Sequence, residues 1–276
     1  GAGLLFDLSR HWKGNRFLNW LSAAILLSFG FGQVFKWSQR RGFNAPVVVT
    51  ANYIVLATLL GGYYLSRNEL DITAPILRVG VITGCAYIAS MLVMTRALER
   101  GHVAPVLTAF RLSILLPVLL GIVVWREHLT AWQGVGIVAA LVSMVLMTWC
   151  NFDNGSRYRL SALALVLLVF LLQGLVNCGN RWVQYAGLNE QRLLVLFVIS
   201  STAALIGAAV VLVSGHRPKP SELLAGSGIG AYNLVVLAVL LTALSKLPGT
   251  VLFPIHGCAI LILDNLFAHF FWKELL

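Results

Sequence analysis

Nine times along the chain, about twenty residues pass with almost no charge: 17–37, 45–65, 73–95, 103–125, 130–149, 160–182, 191–214, 221–244 and 249–272. At about 1.5 Å of rise per residue, such a run in helix matches a hydrocarbon core about 30 Å thick. The runs are continuous and do not alternate at period two, which argues against β-barrel strands. Composition agrees: 59% of the residues are AVILMFWYC and 11% are charged. About 25% charge is usual, and so few charges cannot cover a soluble protein of this size. The chain is read as an all-α integral membrane protein.

The punctuation between the runs suits short turns. Asn44 before Ala45-Pro46, Thr73 before Ala74-Pro75 and Ser221 after Pro220 are placed as N-caps, and Thr130 to Gln133 has capping-box spacing. Seven of the eight tryptophans fall near run ends, where an amphipathic ring prefers the headgroup level. Residues 1–16 mix Leu4, Leu5, Phe6 and Leu8 with Arg10, Lys13 and Arg16, a pattern expected to lie along the membrane surface. The 20 Lys and Arg against 10 Asp and Glu are scattered between apolar runs, so their partners are lipid headgroups and not nucleic acid. Assigned alternately to the two sides, they divide almost evenly and do not set orientation.

An offset of 146 residues carries Gly80 onto Gly226, Gly84 onto Gly230 and Ala97-Leu98 onto Ala243-Leu244. One residue more carries Trp125-Arg126-Glu127 onto Trp272-Lys273-Glu274, a shared W-[RK]-E-x-L. The chain therefore divides into an interfacial segment (1–16), a first repeat of five spans (17–149), a linker (150–159) and a second repeat of four spans (160–276). Repeats with an odd number of spans enter the membrane with opposite orientation, giving inverted pseudo-symmetry. The mate of 130–149 would begin after Leu276, so the expectation is nine spans present and a tenth missing by truncation.

These features resemble the drug/metabolite transporter superfamily, EamA type. Five-plus-five spans, a polar residue late in the first span, and W-R-E-x-L-T-x-x-Q-x-x-G from Trp125 to Gly136 carry the resemblance, which extends from Phe17 to Leu276. The chain departs from the family in lacking the tenth span and in carrying Arg111 and Asp264 within spans. The resemblance implies a secondary carrier of small metabolites, often an exporter, with both termini cytoplasmic. The expected location is the bacterial inner (plasma) membrane.

Residues too polar for their depth are the candidates for function. Arg111 lies about eight residues into the fourth span, where a charge costs about 2.5–3.5 kcal/mol on insertion scales. It either faces a cavity and holds an anionic group or pairs structurally. Arg78, nearer its span end, can snorkel instead. Asp264, mid-span in the ninth run, is a candidate proton-coupling group or counter-ion to Arg111. His256 is about 80° from it around the helix and can share its cavity. Gln33, Gln173 and Asn177 offer amides to a zwitterionic or hydroxylated ligand, or join helices by hydrogen bonds. Tyr87 and Asn233 match across the repeat and are placed at a central cavity. For Glu127, Glu274 and the glycines Gly80, Gly84, Gly226, Gly228 and Gly230, turn structure and helix packing are preferred to transport.

No Walker motif, no H-E-x-x-H and no paired metal ligands occur in the sequence, and Cys85, Cys150, Cys178 and Cys258 stand singly. The expectation is no enzyme, no cofactor and no metal, but a secondary active transporter working by alternating access. Two intramembrane arginines against one carboxylate favour amino acids or other carboxylate-bearing compounds. The alternatives are a nucleotide-sugar or sugar-phosphate carrier and a non-transporting receptor or regulatory protein. Protons are the candidate coupling ion.

Overall fold

The computed structural model describes residues 16–99, 103–124, 156–246 and 249–271, with 134–135, 138–139 and 142. The regular elements among them are all helices: α1 (Arg16–Arg40), α2 (Ala45–Arg67), α3 (Ala74–Glu99), α4 (Val103–Leu112), α5 (Leu115–Val123), α6 (Ser156–Tyr185), α7 (Arg192–Val213), α8 (Pro220–Lys246) and α9 (Gly249–Phe270). Five helical stretches among the described residues are long and apolar enough to cross a membrane: α2, residues 74–97 of α3, residues 163–185 of α6, α7 and α8. Leu205, Leu212 and Leu224 are about three-quarters exposed or more on these helices, which suits contact with lipid. Residues 1–15 of the interfacial segment 1–16, most of the fifth run, residues 150–155, and Glu127 and Glu274 with the W-[RK]-E-x-L segments that carry them lie outside the described residues.

Two boundaries differ from the sequence reading. α6 begins at Ser156, inside the expected linker. α8 begins at Pro220, so Ser221 sits within its first turn and is not the N-cap. Proline fits that first position because its missing N–H would have no helical partner there. Asn44 does cap α2, accepting the Val47 N–H at 3.3 Å from extended backbone.

At the centre α7 lies against both α2 and α3, and α2 also packs along α8. α6 covers α3 and α1 covers α8; outside these, α4 and α5 lean on α6, and α9 lies on α1. Glycine allows the tightest of these approaches. A Cβ on Gly80 would lie 2.6 Å from Val198 and 3.5 Å from the Val195 carbonyl; one on Gly84 would lie 2.7 Å from the Ile199 carbonyl and 2.8 Å from Thr202. On the other side, Gly226 meets Ala51 and Val48, and Gly230 meets Asn52 and Val55. Both pairs of helices, α3 with α7 and α2 with α8, therefore run parallel. By contrast α2 and α7 run antiparallel, with Thr50 beside Gly207 and Gly61 beside Phe197.

The fourth run is not one helix. α4 ends at Leu112 and α5 starts at Leu115, with a turn at Ser113 and Ile114. Pro117 explains the break: it has no N–H for the Ser113 carbonyl, and its ring crowds that same carbonyl. The Ser113 carbonyl accepts from Leu116 instead, at 3.0 Å. This break sits two residues beyond Arg111.

Candidate functional site

Three chain segments meet at Arg111. Its guanidinium forms an ion pair with the Asp264 carboxylate of α9. The other carboxylate oxygen accepts from Gln33 Nε2 of α1 at 2.9 Å. The side chains of Arg111 and Asp264 are 19% and 24% exposed, so the pair is mostly shielded but reachable. Arg111 occupies the last turn of α4, where a cation complements the unpaired carbonyls of a helix end. Gly32 lets α1 come this close: a Cβ there would stand 3.3 Å from Arg111 Nη2 and 3.9 Å from Asp264 Oδ1.

His256 faces the same side of α9. A ring nitrogen lies 3.0 Å from Ser28 Oγ of α1. It therefore sits two turns of α9 from Asp264, tied to α1 and not to the carboxylate. At the break, Ile114 packs near Gly257 of α9, which holds the broken fourth span against the helix that carries Asp264.

The other expected residues gather elsewhere. Gln173 Oε1 accepts from Ser90 at 2.7 Å, and Asn177 Nδ2 donates to Ser113 Oγ at 3.3 Å. Gln33 and Gln173 thus have different surroundings, one on the ion pair and one between α3 and α6. Tyr87 is buried and exchanges hydrogen bonds with Asn180 at 2.9 and 3.1 Å, while Asn233 donates to Asn52 Oδ1 at 3.1 Å. Arg78 is exposed near the start of α3 and is not brought to the Arg111 cluster.

A cavity of about 10 Å³, roughly one water, lies between α1, α2, α3 and α8. Phe31, Asn52, Tyr53 and Met91 are among its walls. Tyr87 and Asn233 stand behind this lining: Tyr87 meets Tyr53 edge to face at 6.2 Å, and Asn233 holds Asn52. They support the cavity walls and do not form them.

No family model and no curated protein matches the chain.

Three residues that sequence reasoning passed over take part in buried polar contacts. Arg181 in the last turns of α6 is fully buried, with Nη2 3.1 Å from the Tyr185 hydroxyl and its guanidinium 5.4 Å from that ring. Glu222 in the first turn of α8 is 2% exposed. Asn52 lines the cavity. Arg181 and Glu222 lie at run ends, where a charge reads as solvated, and only the packing of neighbouring helix ends reveals otherwise. Asn52 had a visible signal, a polar residue well inside a run. Among the described residues no three His, Cys, Asp or Glu side chains gather as a metal site would need.

Proposed function

We propose that the protein is a secondary transporter of small carboxylate-bearing metabolites, amino acids among them, working by alternating access between two inverted repeats. The observation that carries this reading is the Arg111–Asp264–Gln33 cluster, which joins α1, α9 and the broken fourth span. A guanidinium stays protonated and presents a planar fork that suits a carboxylate. Asp264 already occupies that fork as an internal carboxylate, so a substrate carboxylate replaces chemistry that the site makes for itself. Asp264, once released, is the group able to take up a proton. The resemblance adds export as the direction and a bacterial inner membrane as the setting.

The packing supports the repeat. An offset of 147 carries Val48, Ala51, Asn52 and Val55 onto Val195, Val198, Ile199 and Thr202, while 146 carries Gly80 and Gly84 onto Gly226 and Gly230. Each glycine contact between α3 and α7 therefore has its mate between α8 and α2. The α3–α6 contact is likewise matched by α8–α1. The mates α2 and α7 are antiparallel neighbours, and an axis that exchanges two such helices stands perpendicular to both. In a membrane that axis lies in the bilayer plane, which is the relation that alternating access exploits.

Flux of radiolabelled amino acids into proteoliposomes, with and without a proton gradient, tests the proposal. Arg111→Leu should abolish uptake in protein that remains monodisperse. Asp264→Asn should leave exchange but remove its dependence on the gradient. Parent-like flux from both variants would mean that the pair only fixes helix packing.

A further inference from the structure

We propose that Glu222 is a latch that closes the central cavity at the membrane face where α2 and α8 begin. The inference deepens the transporter reading and rests on it for the purpose of the closure. Glu222 Oε1 accepts the backbone N–H of Asn44 at 3.1 Å. Its Oε2 accepts the backbone N–H of Lys219 at 3.0 Å and lies 3.3 Å from His216 Nε2. The Lys219 bond is ordinary helix capping, a glutamate in the first turn reaching back to the residue before the helix. The Asn44 bond is not needed for that purpose. It crosses from the second half of the chain to the first and ties the start of α8 to the N-cap of α2.

What lies beneath the carboxylate gives the tie its meaning. Moving inward from Glu222, α2 and α8 touch first at Val48 and Gly226; at the level of Asn52 they touch at Gly230 and through the Asn52–Asn233 hydrogen bond. Asn52 and Ile229 then line the cavity, and Ile229 is seven residues from Glu222, about 10 Å along the helix. The latch thus stands over the cavity with one glycine contact between them. At the other end of the pseudo-symmetry, an offset of 146 places Ile76 where Glu222 stands, and Ile76 is fully buried and apolar. Hydrogen bonds to a carboxylate are directional and charge-assisted. At a helix end beside water they can be exchanged for solvent, an exchange that the apolar contact at Ile76 does not offer.

The test uses the full chain in proteoliposomes, with Cys85, Cys150, Cys178 and Cys258 replaced by serine and Met91→Cys reporting on the cavity. A membrane-impermeant maleimide is applied to the face bearing α2 and α8. Glu222→Ala should raise the labelling rate about tenfold, the shift expected when hydrogen bonds to a charge leave one side of a two-state equilibrium. In a second protein, Asn44→Cys and Ser221→Cys are bridged by a bis-maleimide. That bridge leaves Glu222 and the backbone donor of residue 44 in place, and so remains informative where Glu222→Ala fails to fold. Bridging should stop both labelling and amino-acid flux. Labelling at an equal rate with and without the bridge, or a parent rate in Glu222→Ala, overturns the latch. A labelling contrast without flux in any sample supports the closure and removes the transporter reading instead.

Discussion

The α3–α7 and α2–α8 junctions share their glycine contacts and differ in the polar groups placed around them. In each, two glycines one turn apart allow parallel helices to approach until backbone meets backbone. Gly84 lies against the Ile199 carbonyl, and Gly230 against the Asn52 carbonyl. At its start the first junction has Ile76, fully buried among apolar neighbours. The second has Glu222, equally withdrawn but engaged with Asn44, Lys219 and His216. The polarity continues inward, since Asn52 and Asn233 are bonded where the mated positions are Ile199 and Tyr87. The two junctions therefore keep one packing geometry while carrying different chemistry at their ends. Close packing fixes where the helices cross, and the groups at the ends decide how readily each face separates.

The largest expected effect breaks both junctions together. Gly84→Ala and Gly230→Ala each place a methyl 2.7 Å from a backbone carbonyl, which cannot swing aside as a side chain could. Overpacking of this kind costs about 3 kcal/mol at the upper end of its usual range. Both variants should lower the thermal midpoint in detergent by a similar amount. Gly228→Ala is the control, because nothing lies within 4 Å of its Cβ. If Gly230→Ala is tolerated while Gly84→Ala is not, the junctions are not equivalents.

Much of this arrangement is legible in the sequence, and the remainder fails for identifiable reasons. Helix positions follow from hydropathy, so α2, α3, α7 and α8 begin and end within a few residues of the expected runs. The glycine offset is visible because glycine is needed wherever two backbones touch. The break before Pro117 is invisible to hydropathy, which runs straight through it, although the proline itself is a signal. Arg111 and Asp264 stand out by depth alone. That Gln33 joins them while Gln173 binds Ser90 depends on how α1 and α6 rotate about their axes, and a run of apolar residues does not record rotation. Glu222 is the hardest case. Its partner across the junction, the Asn44 N–H, lies far away in sequence.

The next effect separates stability from access. Ile76→Ala removes a buried side chain and leaves a cavity, at a cost of about 2 kcal/mol or more. Its thermal midpoint should fall while maleimide labelling at the α2–α8 face stays at the parent rate. Glu222→Gln keeps the shape of the side chain and removes its charge, which weakens each bond it accepts by about 1 kcal/mol. Here labelling at the α2–α8 face should rise, even for a similar loss of midpoint. Equal labelling in the two variants would erase the difference drawn between the junctions.

The smallest effect tests whether the polar interior of the α2–α8 junction holds helices or only lines the cavity. Asn233 donates to Asn52 between two buried positions. Interhelical hydrogen bonds in membrane proteins average about 0.6 kcal/mol in double-mutant cycles, because the separated helices find other partners. Asn233→Leu should therefore cost little beyond that amount. The pair Asn52→Leu and Asn233→Leu should show a coupling of the same size, read from the four unfolding midpoints of the cycle. Leucine at both places restores to α2–α8 the apolar character that Ile199 gives to α3–α7. If flux falls sharply in the double variant while stability is nearly unchanged, Asn52 serves the cavity and not the packing. A coupling well above 1.7 kcal/mol, the top of the range for such bonds, would mean instead that this one hydrogen bond holds the junction together as firmly as its glycines do.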